Sequence, residues 1–316
     1  MTASGSAIAT IDVGTNTTLL LVARASAAGE IAVLDERAEI TRLGRGIGNV
    51  ADGALGAEGI RRTLEALHGY ADVARRHGAR IVAVGTEALR RAPNGADFLG
   101  PAAEILGVPV EVIDGAREAA LTFRASVASF PEARVGEAIV VDIGGGSTEI
   151  IVSDRGVVRW STSLPFGSVR LTEKHVRHEP PAADELDAVA REVDAALAAV
   201  PWPAPAATLP ARLLIGVAGT VTSLAAMSLA LATYDPARVH GHELDLAALD
   251  AEIARLAAST QAERERIVGL DPRRADVILA GAIILRRIAA AAGARAVRVN
   301  DRGIRWGLLY EQLERA

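Results

Sequence analysis

Two short stretches of this sequence place a carboxylate directly ahead of a turn rich in glycine and hydroxyls. One is Ile11-Asp12-Val13-Gly14-Thr15-Asn16-Thr17-Thr18; the other is Val141-Asp142-Ile143-Gly144-Gly145-Gly146-Ser147-Thr148. Glycine lets backbone approach an anion closely and permits positive φ. Successive amides in such a turn make an anion-binding nest, and the hydroxyls of Thr15, Thr17, Ser147 and Thr148 add short donors. A hairpin turn would explain either stretch alone. Two of them, each after an Asp that ends an apolar strand, point to phosphate. Gly14, Thr15 and Asn16, with Gly144, Gly145, Gly146 and Ser147, are the candidate phosphate-binding residues, on loops expected to face each other across a gap.

A carboxylate beside phosphate is costly unless a cation sits between them. Asp12, Asp142 and Glu149, at the start of the next strand, are therefore candidate ligands for Mg²⁺ or Mn²⁺, ions that few carboxylates and several waters hold against phosphate oxygens. Water attack on phosphorus also needs a base. Glu118, within Asp114-Gly115-Ala116-Arg117-Glu118, opens a helix, and by spacing alone it fits either a base or a helix-dipole feature. Arg90 and Arg305 fit either bidentate phosphate clamps or surface cations. Gly219 and Thr220 repeat a Gly-Thr turn found at Gly85 and Thr86. His240-Gly241-His242 lacks metal-ligand spacing, and no P-loop or nucleophile elbow occurs.

The elements that must position these groups alternate. Strands read at Ile8 to Val13, Thr18 to Arg24 and Ile31 to Glu39 form a meander. A glycine-rich loop spans 42–59. An amphipathic helix from Gly59 to His77 follows, with Ile60, Leu64, Leu67, Ala71 and Ala74 on one face. Strand Ile81 to Val84, helices Thr86 to Arg91 and Ala96 to Leu106, strand Val110 to Ile113 and helix Ala116 to Ser129 complete the first half. Alternation implies a largely parallel sheet after the meander.

The second half repeats the plan, with strands at Ala138 to Asp142, Glu149 to Ser153, Val157 to Ser163 and Leu213 to Val217. A helical region from Ser168 to Val200 and a proline-rich surface connection over 201–210 interrupt it. Helices Leu246 to Ala258 and Asp276 to Ala292, strand Ala296 to Val299 and a helix from Gly303 to Arg315 close the chain. The Asp turns lie 130 residues apart, and Val84-Gly85-Thr86 lies 134 residues before Ala218-Gly219-Thr220. Two ordered matches at nearly equal offsets indicate a duplicated domain.

The chain has 316 residues, half of them hydrophobic, enough for two cored domains. Its net charge of −5 argues against a non-specific nucleic-acid binder. Without cysteine it has no disulfide, thiolate metal site or Cys nucleophile. Lys174 is the only lysine. No apolar run reaches membrane-spanning length and no signal peptide is evident, so a cytoplasmic protein without membrane or nucleic-acid partners is expected.

The stretches IDVGTNTTLLLV, VGTEALRRAPNGADFL, VEVIDGAREAALTF, VVDIGGGSTEIIV, GVAGTVTSLAA and NDRGIRWGLLYE resemble, in order, those of the exopolyphosphatase and guanosine pentaphosphate phosphohydrolase (Ppx/GppA) family. The resemblance implies an α/β fold of duplicated actin-like, sugar-kinase-like (ribonuclease H-like) domains with an interdomain cleft. It implies lobes over 1–127 plus 303–316 and over 128–302. It places the catalytic base on Glu118 and phosphate contacts on Arg90 and Gly219. Thr18 and Leu19 stand where the family often has a basic residue, so one cationic contact is expected to be lost.

The implied activity is release of terminal orthophosphate from inorganic polyphosphate. The chain stops where many relatives carry a further helical region, which suggests short substrates. A phosphohydrolase of pppGpp, ATP or ADP is the nearest rival, with (p)ppGpp as substrate or inhibitor and a tie to the stringent response. A non-catalytic polyphosphate or alarmone sensor is the rival of another class. Fold analogy adds a homodimer.

Overall fold

The computed structural model describes residues 5–26, 28–47, 53–202 and 213–315. The loop read over 42–59 and the connection read over 201–210 therefore fall partly outside the described residues. The chain separates into two compact units. One runs through Ala125 and takes back Ile304 onward; the other is Ser126–Gly303.

The first unit is built on strands β1 (Ile8–Val13), β2 (Thr18–Ala25), β3 (Ile31–Glu39), β4 (Arg80–Gly85) and β5 (Val110–Val112). They form a five-stranded sheet in the order β3-β2-β1-β4-β5. β1 pairs antiparallel with β2 and parallel with β4. β1 is buried on both faces, which explains its unbroken apolar run. Helices Ala57–Arg76 and Ala96–Leu106 cover one face through Leu67, Tyr70, Phe98 and Leu106. Helices Gly115–Ser129 and Ile304–Glu314 bring Leu121, Ala125, Trp306 and Leu308 to the clusters around Ile8, Leu21 and Val84.

The second unit uses β6 (Glu137–Ile143), β7 (Thr148–Asp154), β8 (Val157–Leu164), β9 (Leu213–Val217), β10 (Glu243–Asp245) and β11 (Ala296–Asn300). Their order, β8-β7-β6-β9-β11-β10, reproduces the first sheet and adds β10 at the edge. This short antiparallel strand is absent from the sequence reading. Helix Ile278–Ala291, apolar on nearly every side, fills the core against helix Ala183–Leu197 and helix Ala218–Ser228. Both units thus share one α/β plan, as the duplication required.

Three expectations need correction. The helical region read from Ser168 to Val200 is two helices, Ser168–His175 and Ala183–Leu197, because Pro180 and Pro181 deny the backbone helical hydrogen bonds. The second repeat match is shifted by one residue: the ladders align Asp12 with Val84 but Asp142 with Val217. Gly85 therefore corresponds to Ala218, which takes a left-handed φ of 71°. Finally, Gly14, Gly144, Gly145 and Gly146 are not in the left-handed region. Gly14 is required by crowding, as described below, while a Cβ at Gly144 would meet a tight 3.1 Å contact with the Ser147 carbonyl oxygen.

Candidate active site

In the first unit, the turn after β1 is closed by the Gly14 amide donating to the Thr17 carbonyl at 3.0 Å. A Cβ on Gly14 would lie 2.8 Å from that carbonyl oxygen, so only glycine fits. The carbonyls of Thr15 and Asn16 accept from Gly44 and Arg42 at 2.8 and 3.0 Å. Gly44 is itself pressed against the Thr15 methyl, 2.5 Å from an added Cβ. With their carbonyls held this way, the amides of Thr15 and Asn16 donate to no backbone carbonyl among the described residues. Asn16 is buried, and its Nδ2 has no hydrogen-bond partner among them. The Thr15 hydroxyl donates to Glu87 at 3.3 Å, a buried carboxylate that sequence reasoning passed over. Asp12, also buried, sits beside Leu19 across the β1–β2 ladder.

Glu118 and Arg90 come together in the same unit. Asp114 caps helix Gly115–Ser129, its Oδ1 accepting from the Arg117 amide at 2.8 Å. The capping duty thus falls to Asp114. Glu118, one turn in, is buried and forms an ion pair with Arg90. Arg90 Nη1 also donates to the Ile113 carbonyl at 2.6 Å, which aims the guanidinium. Arg90 belongs to the short helix Glu87–Arg91 that follows β4. Arg305 is placed differently: its Nε donates to Glu36 Oε1 at 3.0 Å, while its carbonyl accepts from Thr10. Its guanidinium is tied to β3.

In the second unit, the Gly144 amide donates to the Ser147 carbonyl at 3.0 Å, the same closure as at Gly14. The start of helix Ser168–His175 secures this turn. The amides of Ser168, Val169 and Arg170 donate to the carbonyls of Gly144 and Gly145 at 3.0 to 3.1 Å. Gly167 makes that approach possible, since a Cβ there would fall 2.4 Å from the Gly144 oxygen. With the carbonyls bound behind, the amides of Gly145, Gly146 and Ser147 donate to no backbone carbonyl among the described residues. Asp142 and Glu149 are direct partners across the β6–β7 ladder, so their side chains share one face. Both are buried, and Glu149 accepts from Ser163 at 2.6 Å.

Gly219 and Thr220 lie in the first turn of helix Ala218–Ser228. A Cβ on Gly219 would sit 2.2 Å from Nη1 of Arg274. Arg274 is therefore laid over this helix start, and burial lowers its pKa although the group stays charged. Sequence reasoning missed Arg274. It follows a Pro-Arg pair in an irregular segment, and only the fold brings it to Gly219. Thr220 packs under helix Ile278–Ala291, with Gly281 giving the room.

His240 stacks on Phe130 with ring centroids 5.2 Å apart, and burial pushes its pKa down to about 4. It is neutral at neutral pH and serves packing. Among the described residues no three His, Asp or Glu side chains gather into a metal cage. The Asp142 and Glu149 pair still fits a hard cation. Mg²⁺ is commonly held by one or two carboxylates, with water and substrate phosphate completing its shell.

Comparisons with known proteins identify the family. The family model described as "Ppx/GppA phosphatase family" matches residues 21–316, and the chain belongs to that family. It is 37% identical over 295 residues to Exopolyphosphatase 2 of Mycobacterium tuberculosis, covering 89% of each chain. Among solved structures, an Aquifex aeolicus Ppx/GppA family member is 31% identical, with 98% of each chain covered and a TM-score of 0.80. An exopolyphosphatase from Cytophaga hutchinsonii is 27% identical, with 98% and 99% covered and a TM-score of 0.87. The fold is thus the duplicated α/β fold of the Ppx/GppA proteins, and the chain is a hydrolase of this family. Among the described residues no helix is long and apolar enough to cross a membrane.

Proposed function

We propose that this protein is an exopolyphosphatase that releases terminal orthophosphate from inorganic polyphosphate, with short chains preferred. The observation that carries the reading is the ion pair between half-buried Arg90 and buried Glu118. It joins a carboxylate that can take a proton to a cation that can hold an equatorial phosphate oxygen, the two groups that hydrolysis at phosphorus calls for. The names of the similar relatives support polyphosphate as the substrate.

In this mechanism Glu118 accepts a proton from water as its oxygen attacks the terminal phosphorus. The bridging P–O bond breaks, leaving orthophosphate and a chain one unit shorter. In the first unit the amides of Thr15 and Asn16 and the Asn16 side-chain nitrogen are suited to phosphoryl oxygens; in the second unit the amides of Gly145, Gly146 and Ser147, Thr220 at its helix start and Arg274 are. Arg90 exchanges part of its contact with Glu118 for the oxygens on which charge develops. Such catalysis is mainly positioning and electrostatics. Asp142 and Glu149, neighbours across the β6–β7 ladder, would hold Mg²⁺ or Mn²⁺. When bound, the ion neutralises phosphate charge and orients the leaving group. Arg305, tied to Glu36, is assigned to the fold.

The test is Glu118→Gln, which keeps size and loses the base. Phosphate release should fall by about 10²- to 10⁴-fold, the usual contribution of a general base. Polyphosphate binding, measured by calorimetry, should stay close to wild type. Wild-type turnover by this variant would refute the assignment. Binding without turnover by the unmodified protein, with Mg²⁺ or Mn²⁺ supplied, would make it a sensor.

A further inference from the structure

Arg264 is among the most buried side chains of the molecule, at 2% exposure, and none of the chemistry above uses it. A guanidinium this deep is costly unless its donors are satisfied. Its donors go to three places. Nη1 donates to the Ala275 carbonyl at 2.9 Å and Nε to the Ser259 carbonyl at 3.2 Å. Nη2 donates to Glu179 Oε2 at 3.2 Å. The Ala275 contact matters because Ala275 directly follows Arg274.

The segment carrying Arg274 is short and fixed at both ends. At its start Gly269 takes a φ of 90°, and a Cβ there would lie 2.3 Å from the Ala226 carbonyl, so this point is pressed on helix Ala218–Ser228. Asp271 caps the turn Pro272–Arg274, its side chain accepting from the Arg273 amide at 2.9 Å. At the far end the only side-chain donor on the Ala275 carbonyl, among the described residues, is Arg264. Arg274 then reaches Gly219 on the first turn of that same helix. The amides of Arg274 and Ala275 close the turn by donating to the Asp271 and Pro272 carbonyls at 2.8 and 3.2 Å, and the two anchors fix where the closed turn lies.

We infer that Arg264 is a positioning residue: through the Ala275 carbonyl it fixes the Pro272–Arg274 turn and so holds the Arg274 guanidinium against Gly219 for binding the phosphate chain. Glu179 supports it by holding the opposite edge of the Arg264 guanidinium. The inference rests on the proposed role of Arg274 as a phosphate contact. Loosening the turn does not touch Glu118 or Arg90, so KM should suffer more than kcat.

The experiment is a double-mutant cycle of Arg264→Met and Arg274→Met, read as KM and kcat for orthophosphate release from polyphosphate, with thermal melts alongside. Arg274→Met should raise KM by roughly tenfold or more, the scale of a lost charge-assisted pair. Arg264→Met should raise KM several-fold, add nothing further in the Arg274→Met background, and be partly rescued by Arg264→Lys. A lowered Tm with unchanged KM would overturn the inference, as would KM effects that multiply in the double variant. An unchanged KM in Arg274→Met would instead strike the role proposed for Arg274 itself. If Arg264→Met fails to fold, Glu179→Ala takes its place, since Glu179 is about half exposed and its loss leaves no cavity. It should raise KM in the same coupled manner, and independence from Arg274→Met would again count against the inference.

Discussion

A buried amide nitrogen with no acceptor costs about 1–3 kcal/mol, so a fold keeps one only where something compensates. Asn16 carries such a group within a turn whose carbonyls are already tied to Arg42 and Gly44. A phosphate oxygen is the acceptor that fits an amide nitrogen beside free backbone amides. Asn16→Asp keeps the shape, removes the donor and adds a negative charge. It should raise KM for polyphosphate by about tenfold or more, corresponding to 1–3 kcal/mol of lost contact, with little change in Tm. Steady-state kinetics would show it, and an unchanged KM would remove Asn16 from the site. At this scale much was legible. Asp12 and Asp142 stand out because a carboxylate ending an apolar strand needs a reason, and Glu149 stands out only by opening the strand that follows. Glu118 did not, since an acid at a helix start usually serves the helix. Only the structure shows Asp114 taking that task and Glu118 turning to Arg90. Arg274, Glu87 and Arg264 were illegible for a plainer reason: their partners lie far away in sequence, and arginine is too common here to signal anything alone.

Elements carry these residues only as well as their packing allows. Helix Ile304–Glu314 approaches helix Gly115–Ser129 closely, because Gly307 has no side chain. A Cβ at Gly307 would fall 2.1 Å from the Leu121 carbonyl oxygen. Paired contacts from Arg117 to Glu311, at 2.5 and 2.6 Å, hold the two helices in register. Since the neighbour is backbone, Gly307→Ala must push the helices apart. We expect a loss of about 1–3 kcal/mol, the usual cost of overpacking. Glu118 rides on the displaced helix, so kcat should fall by more than KM rises. Melts and kinetics together check this; wild-type stability would mean that the contact is softer than its geometry says. Strand positions were readable because period and apolar runs survive in the sequence. The glycine turns were readable as turns but not in mechanism. A close carbonyl, not left-handed φ, excludes a side chain at Gly14 and crowds one at Gly144. The break between helices Ser168–His175 and Ala183–Leu197 was signalled by Pro180 and Pro181.

For the molecule as a whole, duplication explains why the same turn closure recurs at Gly14 and Gly144, and divergence explains what each unit adds. The position paired with Asp142 is Glu149, whereas the position paired with Asp12 is Leu19. One unit therefore presents a carboxylate pair suited to a cation; the other presents the Arg90–Glu118 pair suited to proton transfer. The proposed release of terminal orthophosphate calls on both kinds of chemistry. The most direct measurement is orthophosphate release from a panel of polyphosphates of several lengths beside pppGpp, ATP and ADP, with Mg²⁺ or Mn²⁺ present. Polyphosphate should give the highest kcat/KM, with the shorter chains preferred. Release from the nucleotides alone, or from none of the panel, would contradict it.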